Sequence, residues 1–365
     1  MPYVISLLDK GPVAPKGTAA EALQTSIAFA KAAERLGYHR LWLAEHHGVP
    51  QRASSAPDIR AAHLLAVTKR IRIGTGGVLL QHYSPYKGAE VFGTLAPGRV
   101  DLGIGKAPGG MLHGTRAPQS EHGTRRDFVT KLQELTHFLR GTLPADHPLN
   151  GALVQPQGVV QRFLLGASSD SAALAARLGW GFTYAGHHDG NPGAISCAFA
   201  AFGGKPSLAL AAIIAPTRAE AEAQGADHCI LKVTLADGTK VNLPGEEAAA
   251  EFARQSGGQS YRVKARKPSV LTGASADVRA ELDVLHQRLG VPEFILDLAV
   301  ADPVARLNVI ELLAEAGLAI RPSSISPMTR LPRSSATARF WLGSARSIRP
   351  FSPTRWPRSN ARSSS

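Results

Sequence analysis

Residues 70–104 decide the fold, and they read RIRIGTGGVLLQHYSPYKGAEVFGTLAPGRVDLGI. The apolar run at 71–80, interrupted by glycines, predicts a buried strand. Ser84 and Pro85 then predict the start of a helix, because proline suits the first helical turn. Apolar residues resume at 99–104 and predict the next strand. A strand, a helix and a second strand in this order are typical of a parallel sheet.

The same alternation continues on both sides of this stretch. Thr18 with Glu21 three residues later predicts a capping box, and Gly37 predicts the end of that first helix. About eight strand–helix units fit into residues 1–320, which favours a (β/α)8 TIM barrel. A doubly wound open sheet is the alternative.

Two segments break the alternation. Residues 141–158 are rich in proline and glycine and predict a long loop. The sequence LADGTKVNLPGEE lies within 227–259 and predicts a hairpin around Asp237–Gly238. We therefore expect an insertion between barrel units near 227–259.

The positive charge is concentrated at the C-terminus. The chain has 41 basic and 28 acidic residues, and nine of the arginines lie in 321–365, which has no Asp or Glu. Twelve Ser and six Pro in the same segment predict a disordered basic tail, because it cannot bury a core. The rest of the chain is nearly balanced, so nucleic acid binding is expected only through this tail, where Trp341 and Trp356 would favour it.

Other features limit the functional classes. Cys197 and Cys229 fit no disulfide framework or zinc pattern, and a reducing cytoplasm is the expected location. No apolar run approaches the roughly 20 residues that span a membrane, and the N-terminus does not resemble a signal peptide.

Glu45, His46 and His47 directly follow a predicted strand at 40–44. Loops after strands form the active-site face of a barrel, where two imidazoles and a carboxylate can transfer protons near neutral pH. A metal site is the rival interpretation, but adjacent histidines on an extended segment point in opposite directions. We expect no metal here, and a structural role for the pair stays open.

Four further motifs also follow strands. Gly76 and Gly77 allow a flat ligand to approach the backbone closely, although a bulge would also explain them. Lys106 can meet a phosphate. Ser168 and Ser171 mark a helix start that can bind a phosphate or serve as a plain cap. His187 follows another strand, in Tyr184-Ala185-Gly186-His187-His188. The motifs all lie just after strands, which favours one site for a planar, phosphate-bearing cofactor.

Five segments together resemble the bacterial luciferase-like flavin monooxygenases. They are residues 36–59, 70–95, 97–110, 164–188 and 273–316. The resemblance implies a (β/α)8 barrel, usually a homodimer, that binds reduced FMN delivered by a separate flavin reductase. It implies oxidation of a small organic substrate by O2 through a flavin C4a-hydroperoxide. An F420-dependent oxidoreductase and a non-catalytic flavin-binding paralogue are the alternatives.

The resemblance also implies roles for individual residues. His46 corresponds to the catalytic histidine, supported by Glu45 and His47. Gly76 and Gly77 fall where the family has a non-prolyl cis peptide against the flavin ring.

The phosphate-binding residues implied by the resemblance are Lys106, Ser168 and Ser171, with His187 as a further cofactor contact. Three features depart from the family pattern. Lys106 replaces an arginine, the third helix is shortened before residue 97, and the tail has no counterpart.

Overall fold

The computed structural model describes most of the first 318 residues. The described residues are 2–95, 98–106, 110–111, 113, 127–152, 160–187, 190–226, 230–243, 245–266 and 270–318. The predicted tail at 321–365 lies outside them.

Strands and helices alternate along the chain. The strands are β1 Val4–Asp9, β2 Arg40–Leu43, β3 Arg72–Leu79, β4 Val100–Gly105, β5 Gln161–Gly166, β6 Gly181–Ala185, β7 Ser207–Ile214, β8 Ile230–Leu235, β9 Lys240–Leu243, β10 Tyr261–Arg266, β11 Val270–Gly273 and β12 Glu293–Leu298. The helices are α1 Ala19–Leu36, α2 Pro57–Val67, α3 Pro85–Thr94, α4 Phe128–Arg140, α5 Ser169–Leu178, α6 Pro192–Phe202, α7 Arg218–Gly225, α8 Glu246–Gln255, α9 Ser275–Leu289 and α10 Pro303–Leu313.

Eight parallel strands close into a barrel. The ring runs β12–β1–β2–β3–β4–β5–β6–β7, and β7 pairs with both β6 and β12 to complete it. The additional strand β11 lies beside the carboxyl half of β7. The predicted (β/α)8 barrel is therefore confirmed, and the open doubly wound sheet is wrong.

Local sequence signals place the first helix. Thr18 accepts a hydrogen bond from the backbone N–H of Glu21, whose carboxylate accepts one from the backbone N–H of Thr18. Gly37 ends α1 in the left-handed conformation with φ of 85°. Both predictions from the sequence are confirmed, and α1 turns the chain directly into β2.

A buried ion network fills the amino end of the barrel. Arg40 donates from Nε to Glu293 and from Nη1 to Asp101, both at 2.7 Å. Arg72 also donates to Asp101, at 2.6 Å. Arg40, Glu293 and Asp101 each lie at or next to the start of their strands. The network therefore closes the amino end, and enzymes with this barrel have their active sites at the other end, where the strands terminate.

The insertion is larger than predicted. The hairpin around Asp237–Gly238 is confirmed, with β8 and β9 antiparallel and Gly238 at φ of 84°. However, β10 adds to the other edge of β8, and α8 packs against the same small sheet. The insertion thus reaches residue 266, because β10 is held by pairing with a strand about 30 residues earlier, which local periodicity does not reveal.

Other segments agree with the sequence or lie outside the described part. Residues 141–152 form turns without helix or strand, as predicted, and 153–158 lie outside the described residues. Among the described helices, none is long and apolar enough to cross a membrane.

Candidate functional site

The predicted site residues lie on one face of the barrel. They lie in the carboxyl halves of, or just after, five successive strands, β2 to β6, which are neighbours in the ring. Gly76 and Gly77, predicted to follow a strand, lie inside β3, because that strand continues to Leu79. In chain order they are Glu45, His46, His47, Gly76, Gly77, Lys106, Ser168, Ser171 and His187. Because parallel strands all end at the same rim, the topology brings these segments together on one arc of the barrel mouth.

Glu45 organises the segment after β2. Its side chain is buried, and Oε1 contacts His47 Nε2 at 2.6 Å and accepts a hydrogen bond from the Tyr83 hydroxyl at 2.7 Å. The second oxygen, Oε2, accepts a hydrogen bond from the backbone N–H of Leu79 at 2.9 Å. Glu45 therefore ties the β2 end to the β3 end and fixes the orientation of His47.

Burial changes the acid–base properties of this pair. Burial raises the pKa of Glu45, and the hydrogen bonds from Leu79, His47 and Tyr83 only partly oppose it. Burial, with the adjacent Glu45 charge, also raises the pKa of the Tyr83 hydroxyl. A carboxyl with a raised pKa that is hydrogen-bonded to an imidazole is a candidate acid–base group.

His46 points to a different partner from His47. Its Nδ1 contacts the hydroxyl of Ser54 at 3.1 Å, and its backbone N–H donates to the Ser54 carbonyl at 3.0 Å. The two histidines therefore diverge, as expected for neighbours on an extended segment. Ser54 does not cap the nearby helix α2, because the residue before that helix is Ala56, which makes no side-chain cap bond. The Ser54 side chain instead orients His46.

His82 is a component that sequence reasoning missed. Its ring is buried and lies edge-on to the His47 ring, with centroids 5.2 Å apart. The neighbouring Tyr83 reaches Glu45 from the same short turn after β3. The available signal was an adjacent His–Tyr pair just after a strand, which follows the same rule that singled out the other motifs.

The peptide bond between Gly76 and Gly77 is cis, as the family resemblance implies. A Cβ on Gly76 would lie 2.8 Å from the Trp42 ring, and one on Gly77 would lie 2.8 Å from the Gly103 carbonyl oxygen. Both distances are too short for a side chain. This stretch of β3 therefore presents bare backbone, which a planar ligand can approach closely.

The ends of β4 and β5 combine a cation with a helix start. Gly105 and Leu165 are paired in the sheet, so Lys106 continues alongside the turn that leads into α5. Lys106 is exposed and forms no ion pair within the described part of the chain. Ser168 caps α5, accepting from the Ser171 N–H at 3.3 Å and contacting the Ser171 hydroxyl at 3.1 Å. A cation, two hydroxyls and N-terminal N–H groups are the donors that a phosphate requires, so these residues fit that end of a flavin nucleotide.

His187 lies at the end of β6, next along the ring. His187 is buried, and its backbone N–H donates to the Ala209 carbonyl at 3.1 Å. The following residues, His188 and Asp189, are outside the described part. His187 stays a predicted cofactor contact.

No group of three or more His, Cys, Asp or Glu side chains among the described residues is arranged to hold a metal ion. Cys229, one of the two cysteines, falls outside that part of the chain.

Comparison with known proteins places these features in context. The family model for luciferase-like monooxygenase matches residues 1–290. N-acetyl-S-alkylcysteine monooxygenase from Bacillus subtilis (strain 168) is 38% identical over 333 residues, which are 87% of this chain and 99% of that relative.

Solved structures agree on the architecture. The apo form of MsnO8 is 31% identical, with a TM-score of 0.68, over 87% of this chain and 99% of that one. The oxygenating constituent of 3,6-diketocamphane monooxygenase from Pseudomonas putida, in complex with FMN, is 14% identical, with a TM-score of 0.61, over 89% of this chain and 100% of that one. An F420-dependent secondary alcohol dehydrogenase is 15% identical, with a TM-score of 0.58, over 88% of this chain and 100% of that one. At these lower identities the last two show the shared fold.

Proposed function

The chain belongs to the luciferase-like monooxygenase family, and from that membership we propose that it is a flavin-dependent monooxygenase using reduced FMN and O2. The observation that carries the proposal is the arc of strand ends β2 to β5. It joins a hydrogen-bonded Glu–His pair, a bare glycine backbone and a phosphate-type donor set. The reaction would be of the type that acts on paired donors and incorporates molecular oxygen.

Each end of the cofactor has matching residues in the proposal. Lys106, Ser168 and Ser171 would hold the phosphate, and Gly76–Gly77 would lie against the ring system. When bound, reduced FMN supplies the electrons that activate O2, while the protein positions the reactants and excludes water. We propose that a separate flavin reductase delivers it.

The residues of the β2 end would manage the proton. The Ser54 hydroxyl contacts Nδ1 of His46 and orients the ring, and we assign proton transfer to that imidazole. Glu45 keeps His47 in place beside it and, with its pKa raised by burial, can take up or return a proton itself. Tyr83 acts through Glu45 and is a positioning residue.

The substrate class is proposed from the full-length relative. That protein is named N-acetyl-S-alkylcysteine monooxygenase, and this chain aligns with 99% of its length. We propose that the present protein also oxidises N-acetyl-S-alkylcysteines, which are small, acidic thioethers.

Anaerobic titration with reduced FMN tests the cofactor. We expect saturable binding, weaker binding of reduced riboflavin, which lacks the phosphate, and a smaller FMN–riboflavin difference in Lys106→Gln. Substrate-dependent O2 consumption with N-acetyl-S-methylcysteine tests the reaction. Absence of saturable FMN binding would rule out the proposal.

Two alternatives give different results in the same assays. F420 bound in preference to FMN would identify an F420-dependent oxidoreductase on the same barrel, a cofactor that one structural neighbour uses. Flavin binding with no substrate-dependent O2 consumption, unchanged in His46→Ala, would identify a non-catalytic flavin-binding protein. We further propose a cytoplasmic homodimer, testable by cell fractionation and light scattering.

A further inference from the structure

A second charged cluster lies at the carboxyl ends of β1 and β12, on the other side of the β2 end from Lys106 and Ser168. It contains more cations than carboxylates. Its members are Lys10, Arg52, Arg60, Arg306, Asp9 and Asp297.

Both carboxylates already have cationic partners. Asp9 is fully buried and accepts hydrogen bonds from Arg60 at 2.7 Å, Arg306 at 2.9 Å and the backbone N–H of Gly11 at 2.7 Å. Asp297 forms an ion pair with Lys10. The acceptors of the cluster are therefore largely used by three of its four cations.

Arg52 is the fourth cation, and its guanidinium N–H groups have no hydrogen-bond acceptor among the described residues. In the same part of the chain, no carboxylate lies within ion-pair distance of it. Arg52 is half-buried, and its backbone is bridged to Pro12 in the segment after β1. Burial lowers the pKa of Arg52, and the charge of Asp297 opposes this effect. A guanidinium stays charged at any physiological pH, so a partly buried one without a bound acceptor is costly.

The backbone holds Arg52 in place. Its N–H donates to the Val49 carbonyl at 3.0 Å, and the next residue, Ala53, donates to the Gly11 carbonyl at 2.7 Å. Gly11 has φ of 58°, and a Cβ there would lie 2.6 Å from the Ala53 carbonyl oxygen. The segment therefore packs on the β1 end too closely for a side chain at position 11, which fixes where Arg52 starts.

The position of the cluster in the ring is significant. In the order β12–β1–β2–β3–β4–β5–β6–β7, β12 lies opposite β4 and β1 lies opposite β5. Lys106 and Ser168 follow β4 and β5, so Arg52 and Lys10 stand across the mouth from the phosphate-type donors. The His46 segment at the end of β2 lies between the two sides.

We propose that Arg52 binds the carboxylate of an acidic substrate and thereby points its other end toward the centre of the barrel mouth. The planar guanidinium fork matches a carboxylate with two parallel hydrogen bonds. The neighbouring donors Arg60 Nη1 and Arg306 Nε and Nη1 are also buried without an acceptor in the described chain, so the region is rich in unmatched positive charge. This inference deepens the proposed function, because it takes the acidic thioether class from it.

The test compares the oxidation of an acidic substrate with that of its uncharged amide. The probes are N-acetyl-S-methylcysteine and its primary amide, which differ mainly in the charge of one group. For wild type we expect kcat/KM to favour the acid by about 10- to 100-fold, the range for charged hydrogen bonds. In Arg52→Gln the preference should fall below about threefold, and Arg52→Lys should retain part of it, because the charge stays and the fork is lost.

Amide turnover and a distant variant control the result. The amide reports the fraction of folded, active enzyme in each variant, so the acid-to-amide ratio cancels any loss through misfolding. Arg288→Gln is the matched control, since Arg288 is exposed in the last turn of α9, near the start of β12 and thus at the opposite end of the barrel. An unchanged ratio in Arg52→Gln overturns the proposal.

A binding assay separates this inference from the reaction. If neither probe is oxidised, thermal shifts of the protein with acid and amide are compared. Stabilisation by the acid that disappears in Arg52→Gln supports the carboxylate site even though the monooxygenase proposal fails. No stabilisation of wild type by the acid overturns the site.

Discussion

Replacing Asp9 with asparagine removes one charge from the centre of a buried arginine pair. Asp9 has no exposed surface and accepts from Arg60 and Arg306 on helices α2 and α10. Asparagine keeps the shape of the aspartate side chain, but its NH2 group then faces a guanidinium, so that two hydrogen-bond donors oppose each other. Removing one partner of a buried ion pair typically costs about 3–5 kcal/mol, and we expect Asp9→Asn to lower the free energy of unfolding by that amount.

Equilibrium urea unfolding followed by tryptophan fluorescence measures the loss. The matched control is Glu311→Gln, whose partner Arg35 and own side chain are 63% and 46% exposed. We expect it to change stability by less than about 1 kcal/mol, as for most surface pairs. If Asp9→Asn costs no more than this control, the buried pair does not hold α2 and α10 to the end of β1.

The pH dependence has a definite sign. Burial alone would raise the pKa of Asp9, but Arg306 and Arg60 outweigh it and hold that pKa well below its usual range. The unfolded chain, with a pKa of about 4, binds the proton more readily than the folded protein. The stability from Asp9 is thus fully present above about pH 4 and decreases in stronger acid, while Asp9→Asn lacks this dependence. A gap between wild type and variant that widens below pH 4 would contradict the argument.

Three further outcomes are expected. Glu45→Gln should lower turnover at least tenfold with little change in FMN affinity. The Glu45 carboxylate contacts His47, the Leu79 N–H and the Tyr83 hydroxyl, and the amide replaces one of its two acceptor oxygens with a donor. Stopped-flow kinetics measure the turnover, and titration measures the FMN affinity. Gly103→Ala should lower the free energy of unfolding by about 1–3 kcal/mol or prevent folding, since its Cβ would lie 2.2 Å from the Thr75 carbonyl oxygen. Gly105→Ala is the control: its Cβ would meet no atom nearer than 3.5 Å, and it should leave the Tm unchanged. Deleting 321–365 removes nine arginines and should leave the Tm unchanged while abolishing any salt-sensitive retention on DNA.

The features that the sequence predicted well are those encoded over short distances. The Thr18–Glu21 capping box spans three residues, and the Asp237–Gly238 hairpin is set by its own turn. Placement of the other motifs after strands needed only local strand assignment, because parallel topology then brings every strand end to one rim. Gly76 and Gly77 are the exception, since β3 continues through them to Leu79. The cis bond at Gly76–Gly77 was implied by family resemblance, since no local rule demands it.

The features that were missed depend on closure of the barrel. Tyr83 and Glu45 are 38 residues apart and meet only because β2 and β3 pair. Arg306 and Asp9 are 297 residues apart and meet because β12, which precedes α10, pairs with β1 to close the ring. Such contacts carry no periodic signal, so the ionic cluster around β1 and β12 could be recognised only in the folded protein.

The loop between β2 and α2 links binding to proton transfer. It carries His46 near its start and Arg52 near its end, and Ser54 folds back to hold His46 by side chain and carbonyl. Pairing of the Gln51–Ala53 stretch with the segment after β1 fixes the same loop to the barrel. A carboxylate bound at Arg52 therefore sits on the same short, doubly fixed segment as the imidazole. In the proposed enzyme, this arrangement sets the distance between the acidic end of the substrate and the proton-transferring group without relying on movement of a separate element.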